Sequence, residues 1–142
     1  MRVLAVDFGE RRIGIAVSDA SGEIVLPVGT IARRSDAQAA REIAEAARER
    51  EAGRIVVGHP LGNGGAEGLI ARRARNFAKR LSELSGLPVT LHDEGLTSHA
   101  ADWNLADAGI RAGRRIALRD AEAAAVLLRD FLSDELARRP GG

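Results

Sequence analysis

The sequence has no cysteine and no tyrosine, and only one tryptophan and three phenylalanines among its 142 residues. Without cysteine, disulfide frameworks and thiolate metal sites are excluded, and nothing suggests secretion. With aromatics at 3%, recognition of single strands by stacking bases on aromatic platforms is not expected to dominate. Long apolar runs are also missing: no stretch approaches the roughly 20 residues needed to span a bilayer. Met1-Arg2 leads straight into strand-like sequence with no signal-peptide pattern. The expectation is a cytoplasmic chain with no membrane partner. An excess of charge of either sign is missing too, since the net charge is +1. The kind of cation is more telling, because Lys79 is the single lysine among 21 basic side chains. Arginine's planar fork suits bidentate phosphate contacts. GC-rich codons also produce arginine, so the places of the arginines matter more than their number.

What is present is an ordinary globular composition, 45% hydrophobic and 29% charged, at the size of one domain. We expect a single domain over residues 1–138, with 139–142 a frayed tail. Residues 2–8, "RVLAVDF", are apolar on both faces, as in a strand buried mid-sheet. Residues 12–18 alternate, with Ile13, Ile15 and Val17 on one face and Arg12, Gly14, Ala16 and Ser18 on the other. "IVLPV" reads as a third strand after the turn "DASGE", and the short connections favour antiparallel neighbours. Helical periodicity follows from Asp36 to Glu51, then a buried strand "RIVVG" and the loop "HPLGNGGAEG". The glycines of that loop lack the GK[ST] of a Walker loop, and a flexible surface loop is expected. A helix from Leu69 to Leu84 carries an apolar stripe of Ile70, Ala74, Phe77, Leu81 and Leu84. "VTLHDE" is a strand, residues 98–108 are helical, "GIRAGRR" is an exposed loop, and Asp120 to Leu136 is a final helix. The order βββ-α-β-α-β-α-α predicts an α/β fold, a mixed sheet with helices on its faces.

Three carboxylates stand out. Asp7 ends the first strand, and Asp93-Glu94 ends "VTLH"; if both strands are central and parallel, these ends share one rim of the sheet. Asp120 lies on the stripe of Ala124, Leu127 and Phe131 that packs the last helix. Each has a local explanation, as a turn residue, a solvated acid or an N-cap. Together they have no obvious buried arginine partner, and such acids repel unless a cation binds; Mg²⁺ and Mn²⁺ prefer carboxylate oxygens. Alternation sends Asp93 and Glu94 to opposite faces and does not choose between them. His59, His92 and His99 show no regular ligand spacing.

On the Leu69–Leu84 helix, Arg72, Arg75, Asn76, Lys79 and Arg80 oppose the apolar stripe, with Arg73 at the margin. Arg11-Arg12, Arg33-Arg34 and Arg111, Arg114 and Arg115 form further clusters. A basic face beside an acidic rim is what a phosphodiester needs, cations for the backbone and acids for metal. The nucleic-acid contacts are expected from Arg11, Arg72, Arg75, Lys79 and Arg80.

The blocks "LAVDFGERRIGIAVSD", "IVVGHPLGNGGAEG" with "RRARNFAKRL", "VTLHDEGLTSHAA" and "RDAEAAAVLL" occur in that order. Together they resemble the YqgF family of RNase H-like proteins, described as Holliday-junction-resolvase-like and as pre-16S rRNA nucleases. The resemblance covers residues 2–134. It implies a mixed five-stranded sheet, three antiparallel strands then two parallel, with helices on both faces. It also implies that Asp7, Glu94 and Asp120 are the catalytic and metal-binding acids, so it selects Glu94 over Asp93. Two positions depart from the family pattern: Gly95 stands where an arginine is usual, and Gly62 where an asparagine is usual.

The expected function is therefore a metal-dependent endonuclease using Mg²⁺ or Mn²⁺, acting on the 5′ end of pre-16S rRNA or on branched DNA. A resolvase makes paired cuts and is expected to work as a homodimer, whereas an rRNA-processing enzyme can be a monomer. A non-catalytic nucleic-acid-binding factor is the alternative that Gly95 favours. A sugar kinase or ATPase of the actin-like kind needs two such domains, and this chain has the length of one.

Overall fold

The computed structural model describes residues 1–60, 68–93 and 112–138. The chain runs through β1 (Arg2–Asp7), β2 (Arg12–Ser18), β3 (Val25–Ala32), α1 (Asp36–Glu49), β4 (Ala52–His59), α2 (Leu69–Ser85), β5 (Val89–Asp93) and α3 (Ala112–Arg138). The strands form one sheet in the order β3-β2-β1-β4-β5. The first three are antiparallel neighbours, while β4 runs parallel to β1 and β5 parallel to β4. This is the expected sheet, with α1 and α2 on one face and α3 on the other.

Two apolar layers hold it. Leu4, Val6, Ile13, Ile15, Ile55 and Val57 pack against Ile43, Phe77 and Leu81 of α1 and α2. The opposite layer joins Val3, Ala5, Ala16 and Val56 to Ala124, Leu127, Leu128 and Phe131 of α3. Strand alternation thus divides β1 as the sequence patterning requires: even positions face α1 and α2, odd positions face α3.

Local chemistry sets the element ends. Ser35 caps α1, accepting from the Gln38 amide in a reciprocal capping box, and Arg33 bonds both Asp36 and the Glu10 carbonyl. Arg33 is therefore spent on joining the loop after β1 to α1. Gly86 closes α2 in the left-handed region, at φ 72°. In the β2–β3 turn, the Ser21 hydroxyl and nearby amides hold the Asp19 carboxyl below its ordinary range.

Several expectations need correction. The third strand runs on through "GTIA" to Ala32 as the sheet edge, its pairing with β2 extending past the predicted end. Leu84 is 51% exposed and does not join the α2 stripe. The last helix begins at Ala112, so "AGRR" is helical rather than loop. β5 is an edge strand among the described residues, not a central one. The predicted helix at 98–108, Glu94, the glycine loop at 62–67 and the 139–142 tail lie outside the described residues.

Candidate active site

Asp7 ends β1 half-buried, and by alternation it points with Val3 and Ala5 toward α3. Its partner across the antiparallel ladder is Gly14. Helix α3 crosses β2 at that glycine. A Cβ built on Gly14 would lie 1.9 Å from the Asp120 carbonyl oxygen, so only a hydrogen fits there. Gly14 is thus the point at which α3, at Asp120, touches β2, and it is the residue that pairs with Asp7.

Asp120 is the ninth residue of α3, well inside the helix. It is neither an N-cap nor a first-turn acid, so the capping explanation fails. Its side chain is 17% exposed, and Arg12 Nε donates to Oδ2 at 2.9 Å. The Thr30 hydroxyl lies 3.2 Å from the same oxygen and 3.2 Å from the Ile13 carbonyl. Asp120 therefore does have an arginine partner, contrary to the sequence reading. The signal was present, because Arg12 alternates onto the face of Gly14 and Ala16. Thr30 was missed because the third strand was ended too early.

Asp93 closes β5 at the same rim, since β5 runs parallel to β4 and β4 to β1. It is exposed, on the face of Val89 and Leu91, which pack toward α1 and α2. It does not share the face of Asp7 and Asp120. Glu94 falls outside the described residues.

The basic face of α2 is as expected. Arg72, Arg75, Asn76, Lys79 and Arg80 are exposed, while Ala71, Ala74, Phe77, Ala78 and Leu81 are buried. Arg73 NH1 lies 3.6 Å from Glu10 Oε1, which sets the start of α2 beside the loop that follows Asp7. Farther along, Asn76, Lys79, Arg80, Glu83 and Leu84 line an open groove of about 680 Å³. Arg11 is exposed next to Arg12.

A second group of ligand atoms lies along α3. His92 Nε2 is 2.8 Å from Asp130 Oδ2 and 3.7 Å from Asp134 Oδ2, with its ring edge-on to Phe131. The three ligand atoms lie within 4.8 Å of one another. Asp130 is ten residues from Asp120, about 15 Å of helix rise, so this group is separate from the Asp120 site. His92 ties β5 to α3, beside Arg54, which bonds Thr90 and Glu135 over the Phe131 ring.

The donor set of Asp7 and Asp120 fits a hard divalent cation. Both are carboxylates, and among the described residues both donors to Asp120 bond Oδ2 rather than Oδ1. A metal held there would sit at the end of β1, with Arg12 beside it. No helix among the described residues is long and apolar enough to cross a membrane.

Comparison with known proteins agrees with this fold. Solved structures of Thermus thermophilus RuvC share the fold, with a TM-score of 0.58 at 16% identity over 96% of this chain and 97% of that one. A second RuvC structure, in complex with a Holliday junction substrate, gives 0.59 at 13% identity. Among curated relatives, an Anaeromyxobacter sp. (strain K) protein named "Putative pre-16S rRNA nuclease" is 46% identical, covering 93% of this chain and 96% of its own. Proteins of the same name from Oleidesulfovibrio alaskensis and Chloroflexus aurantiacus are 43% and 40% identical, over 94% and 92% of this chain and 92% and 85% of theirs. The family model for RuvX, described as Holliday junction resolvase, matches residues 1–134, and the chain belongs to that family.

Proposed function

We propose that this chain is a divalent-metal-dependent endonuclease that hydrolyses phosphodiester bonds, with the 5′ end of pre-16S rRNA as its substrate. The observation that supports the reading is that Gly14 pairs with Asp7 in the sheet and packs against the Asp120 backbone of α3. Two carboxylates brought to one face of the sheet favour a divalent cation that both can share. The names of the relatives support the rRNA substrate, and the family description supports branched DNA as a second reading.

In this reading Asp7, Glu94 and Asp120 hold Mg²⁺ or Mn²⁺, and the chain works in the cytoplasm. A bound divalent ion would supply an activated water and charge neutralisation at the phosphoryl group. The protein supplies the rest. Gly14 lets α3 bring Asp120 to Asp7, while Arg12 and Thr30 hold the Asp120 carboxylate by one oxygen. Arg11, Arg72, Arg75, Lys79 and Arg80 hold the nucleic-acid backbone as it leaves the site. A monomer suffices for rRNA cleavage, whereas junction resolution needs a homodimer to make paired cuts.

The test is cleavage of a labelled pre-16S 5′ fragment and a four-way DNA junction, side by side, with Mg²⁺ or Mn²⁺. Asp7→Asn and Asp120→Asn are each expected to lower the metal-dependent rate about 100-fold or more. Tight binding without cleavage would instead make the chain a nucleic-acid-binding factor.

A further inference from the structure

Arg12 is more than the partner of Asp120. It enters β2 at the rim where β1 ends, because the two strands are antiparallel and Asp7 pairs with Gly14, two residues along from Arg12. The bond to Asp120 uses Nε alone, and 40% of the Arg12 side chain stays exposed. Its terminal nitrogens make no hydrogen bond among the described residues. A guanidinium held by one edge and open at the other presents a fixed two-donor fork, the geometry that matches phosphate oxygens. The neighbouring cations are placed differently. Arg33 is committed to Asp36 and Glu10, and Arg73 faces Glu10.

We infer that Arg12 binds a substrate phosphate at the acid site, with Asp120 holding the guanidinium in position. One side chain then links the metal-binding acid to the strand that is cut. The inference rests on the nuclease reading for the nature of the substrate, and it adds a contact at the acid site to those of Arg11 and the α2 cations.

The test is binding of a fluorescein-labelled pre-16S 5′ fragment and a four-way DNA junction in EDTA, read by anisotropy between 50 and 200 mM KCl as about the range in which phosphate contacts dominate. Arg12→Ala is expected to weaken binding about 10-fold and to reduce the slope of log K against log salt by about 0.7–0.9, the loss of one phosphate contact. Arg12→Gln keeps a donor for Asp120 without the charge and carries the same expectation should the alanine variant fold poorly. Arg12→Lys restores the slope. Arg2→Ala, at the opposite rim of the sheet, leaves it unchanged. An unchanged slope in folded Arg12→Ala and Arg12→Gln overturns the inference. So does an Mn²⁺ affinity that rises 10-fold in Arg12→Ala with nucleic-acid binding unaltered, which makes Arg12 a placeholder for the ion. Wild-type cleavage with Mn²⁺ is scored in parallel. Failure of the nuclease reading shows there as absent cleavage, and failure of this inference shows in the slope.

Discussion

At the scale of single residues, Gly14 sets how closely α3 can approach β2 beside Asp7. A methyl group there would sit 1.9 Å from the Asp120 carbonyl oxygen, backbone that has no flexible end to yield. Gly14→Ala is expected to lift α3 from β2, costing about 1–3 kcal/mol as an overpacked contact. The displaced Asp120 lowers cleavage about 100-fold, since a shift near 1 Å is enough to disturb a reacting geometry. Thermal denaturation and a rate measurement on the same preparation check both. Asp7 and Asp120 were legible in the sequence because each broke an apolar pattern that otherwise ran through it. The Asp120–Arg12–Thr30 contacts were not, because they join residues 108 and 90 positions apart. Alternation placed Arg12 on the right face, but no local rule says which helix residue will cover it.

At the scale of elements, α2 was the most legible and the start of α3 the least. The α2 pattern repeats apolar residues every three to four positions, and the buried residues Ala74, Phe77 and Leu81 follow it. Leu84 falls outside because the helix ends at Ser85, one residue later. "AGRR" carries a glycine and two arginines, which locally read as loop, yet helix propensity is a weak prior that the rest of a long helix overrides. The basic side of α2 points away from the core from Arg72 to Arg80, starting at the acid rim. Lys79→Glu with Arg80→Glu is expected to weaken nucleic-acid binding at all sequences alike and to flatten its salt dependence by about 1–2 in slope. Because Phe77 and Leu81 still fill the core, the melting temperature should stay within a few degrees. A matching loss of stability would show instead that these cations serve the fold.

At the scale of the whole molecule, the sheet order puts the site where it is. Antiparallel β1–β2 places Arg12 and Gly14 beside Asp7, and parallel β1, β4 and β5 end at one rim. The short links between the first three strands made their antiparallel pairing legible, and the helices between the later strands made the parallel crossovers legible. That β5 lies at the edge was not, since a five-residue strand with half-buried side chains reads the same in either place. The central claim is that Asp7 and Asp120 hold one metal centre. Titration of the full chain with Mn²⁺, followed by calorimetry for wild type, Asp7→Asn and Asp120→Asn, tests it most directly. The account predicts saturable binding in the wild type, weakened at least about 10-fold in each variant with the fold intact. Equal Mn²⁺ binding in all three proteins would contradict it, and would move the metal site to other residues, with His92, Asp130 and Asp134 the next group to substitute.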